Sequence, residues 1–206
     1  MSKKPKFEPP AQRARRIIKR SGGMIRTSHA LREKIHPRTL YMLRDKGELQ
    51  KVSRGLYRLA DYKPFTDPDI VIVASRIPKA VISLISALAY HELTTQIPHE
   101  VSIAVEKGAK YPKLDYPPIS VYHFSSKSFV AGIETHKLEG ILVRVYCPEK
   151  TLADCFKFRN KIGMDIVLEA LKLYKTRRKF NLSLLLDYAR ICRVEKIIKP
   201  YLETII

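Results

Sequence analysis

The sequence has no apolar run approaching the roughly 18 residues that a membrane-spanning helix needs, so no membrane partner is expected. Its first residues, MSKKPKFEPP, are basic and no apolar segment follows them. They read as a disordered arm rather than a secretory signal. Cysteine is scarce. Cys147, Cys155 and Cys192 are odd in number, widely spaced and form no CxxC pair, which argues against a disulfide frame or a zinc site. A reducing cytoplasm fits best. There is no G-x-x-x-x-G-K-[ST], no G-x-G-x-x-G and no H-E-x-x-H, so no cofactor or metal is expected. Internal repeats and low-complexity tracts are missing too.

Acidic residues are the other shortage. The 206-residue chain has 39 Lys+Arg and 20 Asp+Glu, a formal net charge of +19. The imbalance is uneven: residues 1–60 hold 17 basic and 4 acidic side chains, two thirds of the whole excess. Such a concentrated field draws polyanions, nucleic acid first. The plain alternative is a solvated basic face. At 45% apolar residues, the chain can still bury a proper core.

The order of elements gives the field a shape. AQRARRIIKRSGG reads as a short helix closed at Gly22. In MIRTSHALREK, Thr27 or Ser28 suits the N-cap of a helix carrying Ala30 and Leu31. IHPRTLYMLRDKGEL is the clearest helix, with Pro37 at its first position and Gly47 at its end. Leu40 and Leu43 share one face; Arg38, Tyr41, Met42 and Asp45 fall on the other. VSRGLYRLA follows as a hairpin. Two helices joined by a short turn, then a hairpin, make the layout of a winged helix-turn-helix, the third helix entering the major groove.

Placing Arg54 and Gly55 at a two-residue turn sets Ser53 opposite Leu56, Val52 opposite Tyr57 and Lys51 opposite Arg58. The last pair is unfavourable, because like charges directly opposite destabilise a hairpin. A DNA backbone would supply the missing counter-charge, with Val52, Tyr57 and Leu59 packing inward. Leu56 is left unexplained on the cationic face. In this scheme Arg38 reaches a guanine edge or a phosphate and Met42 a thymine methyl. Thr27 and Ser28 meet a phosphate at a helix start. Arg54 enters the minor groove, and Lys51 and Arg58 neutralise flanking phosphates.

The expected domains are a basic arm (1–10), a winged helix-turn-helix (11–60), a linker (61–69) and a larger domain (70–206). The last reads as α+β, with a small sheet and a helical C-terminal half, so the fold class is α+β throughout. PKAVISLISALAYHEL reads as one buried helix. HEVSIAV and PISVYHF read as strands, and IETHKLEGILVRVY as a hairpin turning at Glu139-Gly140. Three helices then finish the chain, KIIKPYLETII extending the third.

Catalytic signals are weak. Asp67-Pro68-Asp69 resembles a metal-binding D-x-D, but it opens a helix, and capping explains it better. Asp61-Tyr62-Lys63 is a carboxylate-x-Lys set in the linker. His91 and His99 flank a loop. Lys150 and Asp154, four apart, suit an ordinary helical ion pair, and Cys155 lies on an apolar stripe with Leu152 and Phe156. The basic clusters KFRNK (157–161) and KTRRK (175–179) extend a nucleic-acid footprint, contact an acidic partner, or are solvated helix ends.

Several stretches together resemble a known family: GGMIRTSHAL, HPRTLYMLRDKGELQKVSRGLYRL, PKAVISLISALAYHELTTQIPHEVSIAVEKGAKYPKL, HKLEGILVRVYCPEKTLADCFKFRNKIGMDIVLEALK and YARICRVEKIIKPYL. They are similar to the antitoxin of the AbiE abortive-infection systems, a type IV toxin–antitoxin class of phage defence. The resemblance implies an N-terminal winged helix and a C-terminal antitoxin domain. It implies a non-enzymatic repressor that binds inverted repeats in double-stranded DNA upstream of its own operon and counters a cognate nucleotidyltransferase toxin. The matched positions are Thr27, Ser28, Arg38, Thr39, Arg44, Arg54 and Arg58. Met42 departs from the more polar residue expected there. Self-association on the inverted repeat is a further expectation. Two other readings compete: a stand-alone winged-helix regulator whose second domain senses a ligand, and a nucleic-acid enzyme delivered by the winged helix.

Overall fold

The structure, a computed structural model, describes residues 8–62, 67–177 and 180–205. Most of the basic arm, Lys63 with the middle of the expected linker, and Arg178 and Lys179 of the second basic cluster lie outside the described residues. The chain divides into two compact units. One is built from described residues up to Ser75 together with Lys137–Leu142, the other from Arg76–His136 and Val143 onward. The fold is mixed α+β, as expected.

The first unit runs α1 (Pro10–Arg20), β1 (Met24–Arg26), α2 (Thr27–Arg32), α3 (Pro37–Asp45), β2 (Leu49–Ser53), β3 (Leu56–Leu59) and most of α4 (Pro68–Arg76). Ala14 and Ile18, one helical turn apart, bury the inner face of α1. The expected third helix starts and stops as read. Pro37 is its first residue, and the His36 ring nitrogen Nδ1 accepts the Arg38 N–H at 3.2 Å. At the other end Gly47 takes φ +74 and the Glu48 N–H returns to the Leu43 carbonyl at 2.9 Å, a left-handed helix stop. Leu40 and Leu43 are fully buried with Ala14, Ile18, Ile25, Ala30 and Tyr57. Because α2 already begins at Thr27, its N-cap is Arg26, not Thr27 or Ser28.

The three strands form one sheet in the order β1-β3-β2. Strand β1 is too short to leave a period in the sequence and was not expected. It puts β3 in the middle, and all four β3 residues are buried. The hairpin register differs from the expected one. Ser53 does face Leu56, but Lys51 faces Tyr57 and Gln50 faces Arg58, with a register shift between Lys51 and Ser53. One extra residue, Val52, is accommodated as a bulge, and the repelling Lys51–Arg58 pair never forms. Leu56 is 1% exposed and packs with Met24 and Val71, so it does not lie on a cationic face.

The second unit contains β4 (Val81–Ile82), α5 (Leu84–Tyr90), β5 (Val101–Glu106), β6 (Ile119–Phe124), α6 (Ser126–Val130), β7 (Ile133–Leu138), β8 (Ile141–Tyr146), α7 (Pro148–Lys157), α8 (Arg159–Ile162), α9 (Met164–Lys175), α10 (Leu182–Cys192) and α11 (Glu195–Ile205). Residues 137–142, the tip of β7 and β8, count with the first unit. The sheet order is β6-β5-β4-β8-β7. Strand β4 pairs antiparallel with β5 and parallel with β8. The segment read as one helix over PKAVISLISALAYHEL is therefore a central strand followed by a helix. Val81 and Ile82 are both buried, and a doubly covered strand looks like a helix segment by pattern alone. The last segment is not an extension of α10. Arg193 takes a left-handed conformation, φ 61, and separates α11.

Helix α7 crosses this unit with eight of its ten residues buried. Among them are Lys150 and Asp154, both 0% exposed and ion-paired one turn apart. The i,i+4 pair forms as expected from its spacing. It is enclosed: the Lys150 ammonium lies 4.2 Å from the Tyr146 ring centroid and 4.8 Å from that of Phe124. The Cys192 thiol donates to the second Asp154 oxygen at 3.2 Å. Burial pushes the Asp154 carboxyl up, and Lys150 pulls it back. Gly132 leaves room for the lysine stem, since a Cβ there would lie 2.6 Å from Lys150 Cβ. Removing one partner strands the other charge. Lys150→Ala should cost about 3–5 kcal/mol of unfolding free energy in urea titrations, and Lys150→Met with Asp154→Leu should recover most of that loss.

Candidate nucleic-acid interface

The outer face of α3 carries Arg38, Tyr41, Met42 and Arg44, all exposed, with Tyr41 at 43% and Met42 at 38%. Thr39 is half-buried and its N–H returns to the His36 carbonyl. The face is possible because Leu40 and Leu43 take the whole inner side. An apolar Tyr–Met pair left open amid cations is suited to contact with base edges. The Arg44 guanidinium lies 5.3 Å from the Tyr41 ring centroid and pairs with Asp45 at 2.8 Å. It is thereby held along the helix surface, its charge partly matched.

At the hairpin, Lys51 and Arg54 are exposed. Gly55 adopts φ +72, so the turn needs a residue that tolerates a left-handed backbone. Its carbonyl accepts two bonds from Thr27, from the N–H at 2.9 Å and from the hydroxyl at 3.3 Å. The start of α2 thus holds the hairpin tip. This corrects the expectation that Thr27 presents its donors to a phosphate: both are engaged within the unit. Ser28 beside it is exposed.

Arg58 is the second correction. It is 8% exposed and donates through Nη2 to the Tyr62 carbonyl at 2.7 Å. The central position of β3 draws it inward, and it cannot face outward as expected. Part of the α1 charge is likewise spent on structure. Arg15 bridges Glu48 at 2.5 Å and Asp61 at 2.9 Å, and Arg16 pairs with Glu8 at 2.6 Å. A charge count cannot separate such tethers from cations left outside. Lys46, exposed at the end of α3, is a cation that the helix-face pattern passed over.

The catalytic candidates do not assemble. Asp67 precedes α4, and burial raises its carboxyl pKa. His91 Nε2 lies 2.7 Å from the Tyr146 carbonyl, and desolvation lowers the ring's pKa; His99 is exposed. Cys147, Cys155 and Cys192 are free and buried. Among the described residues, no group of three or more His, Cys, Asp or Glu could hold a metal ion, and no helix is long and apolar enough to cross a membrane.

The segment that carries this face is similar to a known family. Residues 12–60 match the AbiEi antitoxin family of transcriptional regulators. The resemblance read from the sequence is borne out over those residues, which include α3 and the hairpin. The AbiEi match supports a general role as antitoxin and regulator. No match was found among curated proteins. Among solved structures, the RV2827C protein from Mycobacterium tuberculosis is similar, with a TM-score of 0.51 and 12% identity over 93% of this chain and 81% of that one. At that identity the likeness concerns the fold.

The two hairpin cations should separate in stability. Arg58→Ala should cost about 1–3 kcal/mol, because a buried side chain and its hydrogen bond to the Tyr62 carbonyl are lost together. Lys51→Ala should stay within about 0.5 kcal/mol of the wild type. Urea denaturation of the two variants measures both.

Proposed function

We propose that the first unit is a winged helix-turn-helix that binds operator DNA, and that the protein is a cytoplasmic, non-enzymatic repressor and antitoxin. The observation that carries this reading is the exposed α3 face within the AbiEi-matching segment. Arg38 and Met42 would read base edges in the major groove, with Tyr41 and Thr39 beside them. Arg44 and Ser28 would steady the helix on the backbone. Lys51 and Arg54 on the wing would meet the flanking phosphates or the minor groove. The operator would be an inverted repeat upstream of the protein's own operon, with two copies aligned on it. The second unit would counter a nucleotidyltransferase toxin encoded next door, in a type IV system used against phage.

Binding to the upstream duplex should weaken steeply as salt rises, because phosphate contacts release counterions. Arg38→Ala should lose about 1–3 kcal/mol of discrimination at one base pair, whereas Arg54→Ala should weaken all duplexes alike. Gel shifts across a salt series that show neither effect would contradict the assignment. Repression and antitoxicity should also separate. With Arg38→Ala and Arg54→Ala combined, repression of a reporter should be lost. The same full-length variant should still protect cells co-expressing the adjacent toxin gene.

A further inference from the structure

The basic segment 157–161 has no part in the operator reading, and its cations have different surroundings. Arg159 donates to the Phe156 carbonyl at 3.0 Å. Lys161 lies over the Tyr122 and Phe158 rings, 5.8 and 6.0 Å from their centroids. Lys157 instead lines a cavity of about 420 Å³ together with Ser125, Lys127, Arg190, Ile191 and Arg193. Four cations from three separate segments converge on one concavity: α6, the end of α7, and the end of α10.

Cations at helix C-termini have an ordinary purpose, because each end carries about half a negative charge. That accounts for Lys157 and Arg190, which lie in the last turns of α7 and α10. Arg190 is matched further, by Asp187 at 3.0 Å and Glu195 at 3.7 Å. Lys127 likewise lies in the last turn of the short α6. Arg193 caps the same end of α10, but the dipole does not explain its backbone, held at φ 61 and ψ 39, a conformation that glycine or asparagine adopts more easily. Among the described residues, Lys127, Lys157 and Arg193 make no ion pair. Asp154, whose carboxyl Lys157 also favours in its charged form, is already paired with Lys150. Three of the cavity's four cations are thus left without a carboxylate partner among the described residues.

We propose that this cavity binds a phosphoryl group carried by a nucleotide or a nucleic-acid strand. Lys127 and Lys157 supply point charges, the Arg193 guanidinium offers a fork of donors to two phosphate oxygens, and the Ser125 hydroxyl adds a hydrogen bond. Arg190 is pinned by its two carboxylates and contributes less charge to the site. The volume lies within the roughly 300–1,000 Å³ of small-molecule sites, which leaves room for more than phosphate alone. The site stands apart from the operator reading, since none of its residues belongs to the AbiEi-matching segment.

Calorimetric titration of the full-length protein at low ionic strength tests this, with pyrophosphate as the first probe. Saturable binding is expected. Lys127→Gln, Lys157→Gln and Arg193→Gly together should weaken it by about tenfold or more, and Arg38→Ala with Arg54→Ala should leave it unchanged. The three cavity cations are exposed, so their removal should not disturb folding; Lys127→Arg with Lys157→Arg should keep the affinity. Adenosine diphosphate and a short single-stranded DNA without operator sequence then identify the source, the tighter binder being the natural class. Absence of saturable pyrophosphate binding overturns the proposal. So does a triple variant with wild-type affinity, or a Lys-to-Arg pair that loses binding.

Discussion

The first unit depends on strand β3 being paired along both edges and covered on its faces. Tyr57 and Leu59 pack with the helices, and Leu56 packs with Met24 and Val71. A strand enclosed in this way has no room to slip, because a one-residue shift would exchange its faces. The bulge at Val52, the inward turn of Arg58 and the outward positions of Lys51 and Arg54 all follow from it. Thr27 then ties the turn to α2 through the Gly55 carbonyl. The hairpin and α3 therefore rest on one shared core, a rigid base for contacts that need fixed spacing.

Much of this was legible in the residues. Pro37, Gly47 and the Leu40–Leu43 pair mark α3 at both ends and on its inner face, because capping and periodicity are local. Gly55 marks the turn for the same reason. The register was legible only at the turn, where Ser53 faces Leu56, and not beyond the bulge. The burial of Leu56 sets it, and its neighbours Met24 and Val71 come from elsewhere in the chain. Arg58 was misplaced for the same cause. Among the candidate DNA contacts, those on α3 stay on one open face, whereas Thr27 and Arg58 are spent on the fold. A single sequence cannot distinguish a cation that waits for a phosphate from one that holds a carbonyl.

The second unit repeats the lesson with opposite sign. Lys150 and Asp154 carry the spacing of an ordinary surface pair, yet both are fully enclosed beside Tyr146, Phe124 and Cys192. Their charges compensate each other where water cannot. The short strand β4 was hidden because a strand covered on both sides shows no alternation. Cations also differ by surroundings here. Those of Arg159 and Lys161 lie on local carbonyl and aromatic groups, while Lys157 faces a concavity shared with three others.

The central claim is that the open face of α3 and the hairpin tip meet the same duplex. The most direct measurement is an NMR titration of the labelled full-length protein with its own upstream DNA. Signals of Arg38, Tyr41, Met42, Lys51 and Arg54 should move together and saturate at one stoichiometry, while the buried Arg58 side chain moves little. Shifts confined to other surfaces, or saturation of the α3 signals without those of the hairpin, would contradict the account.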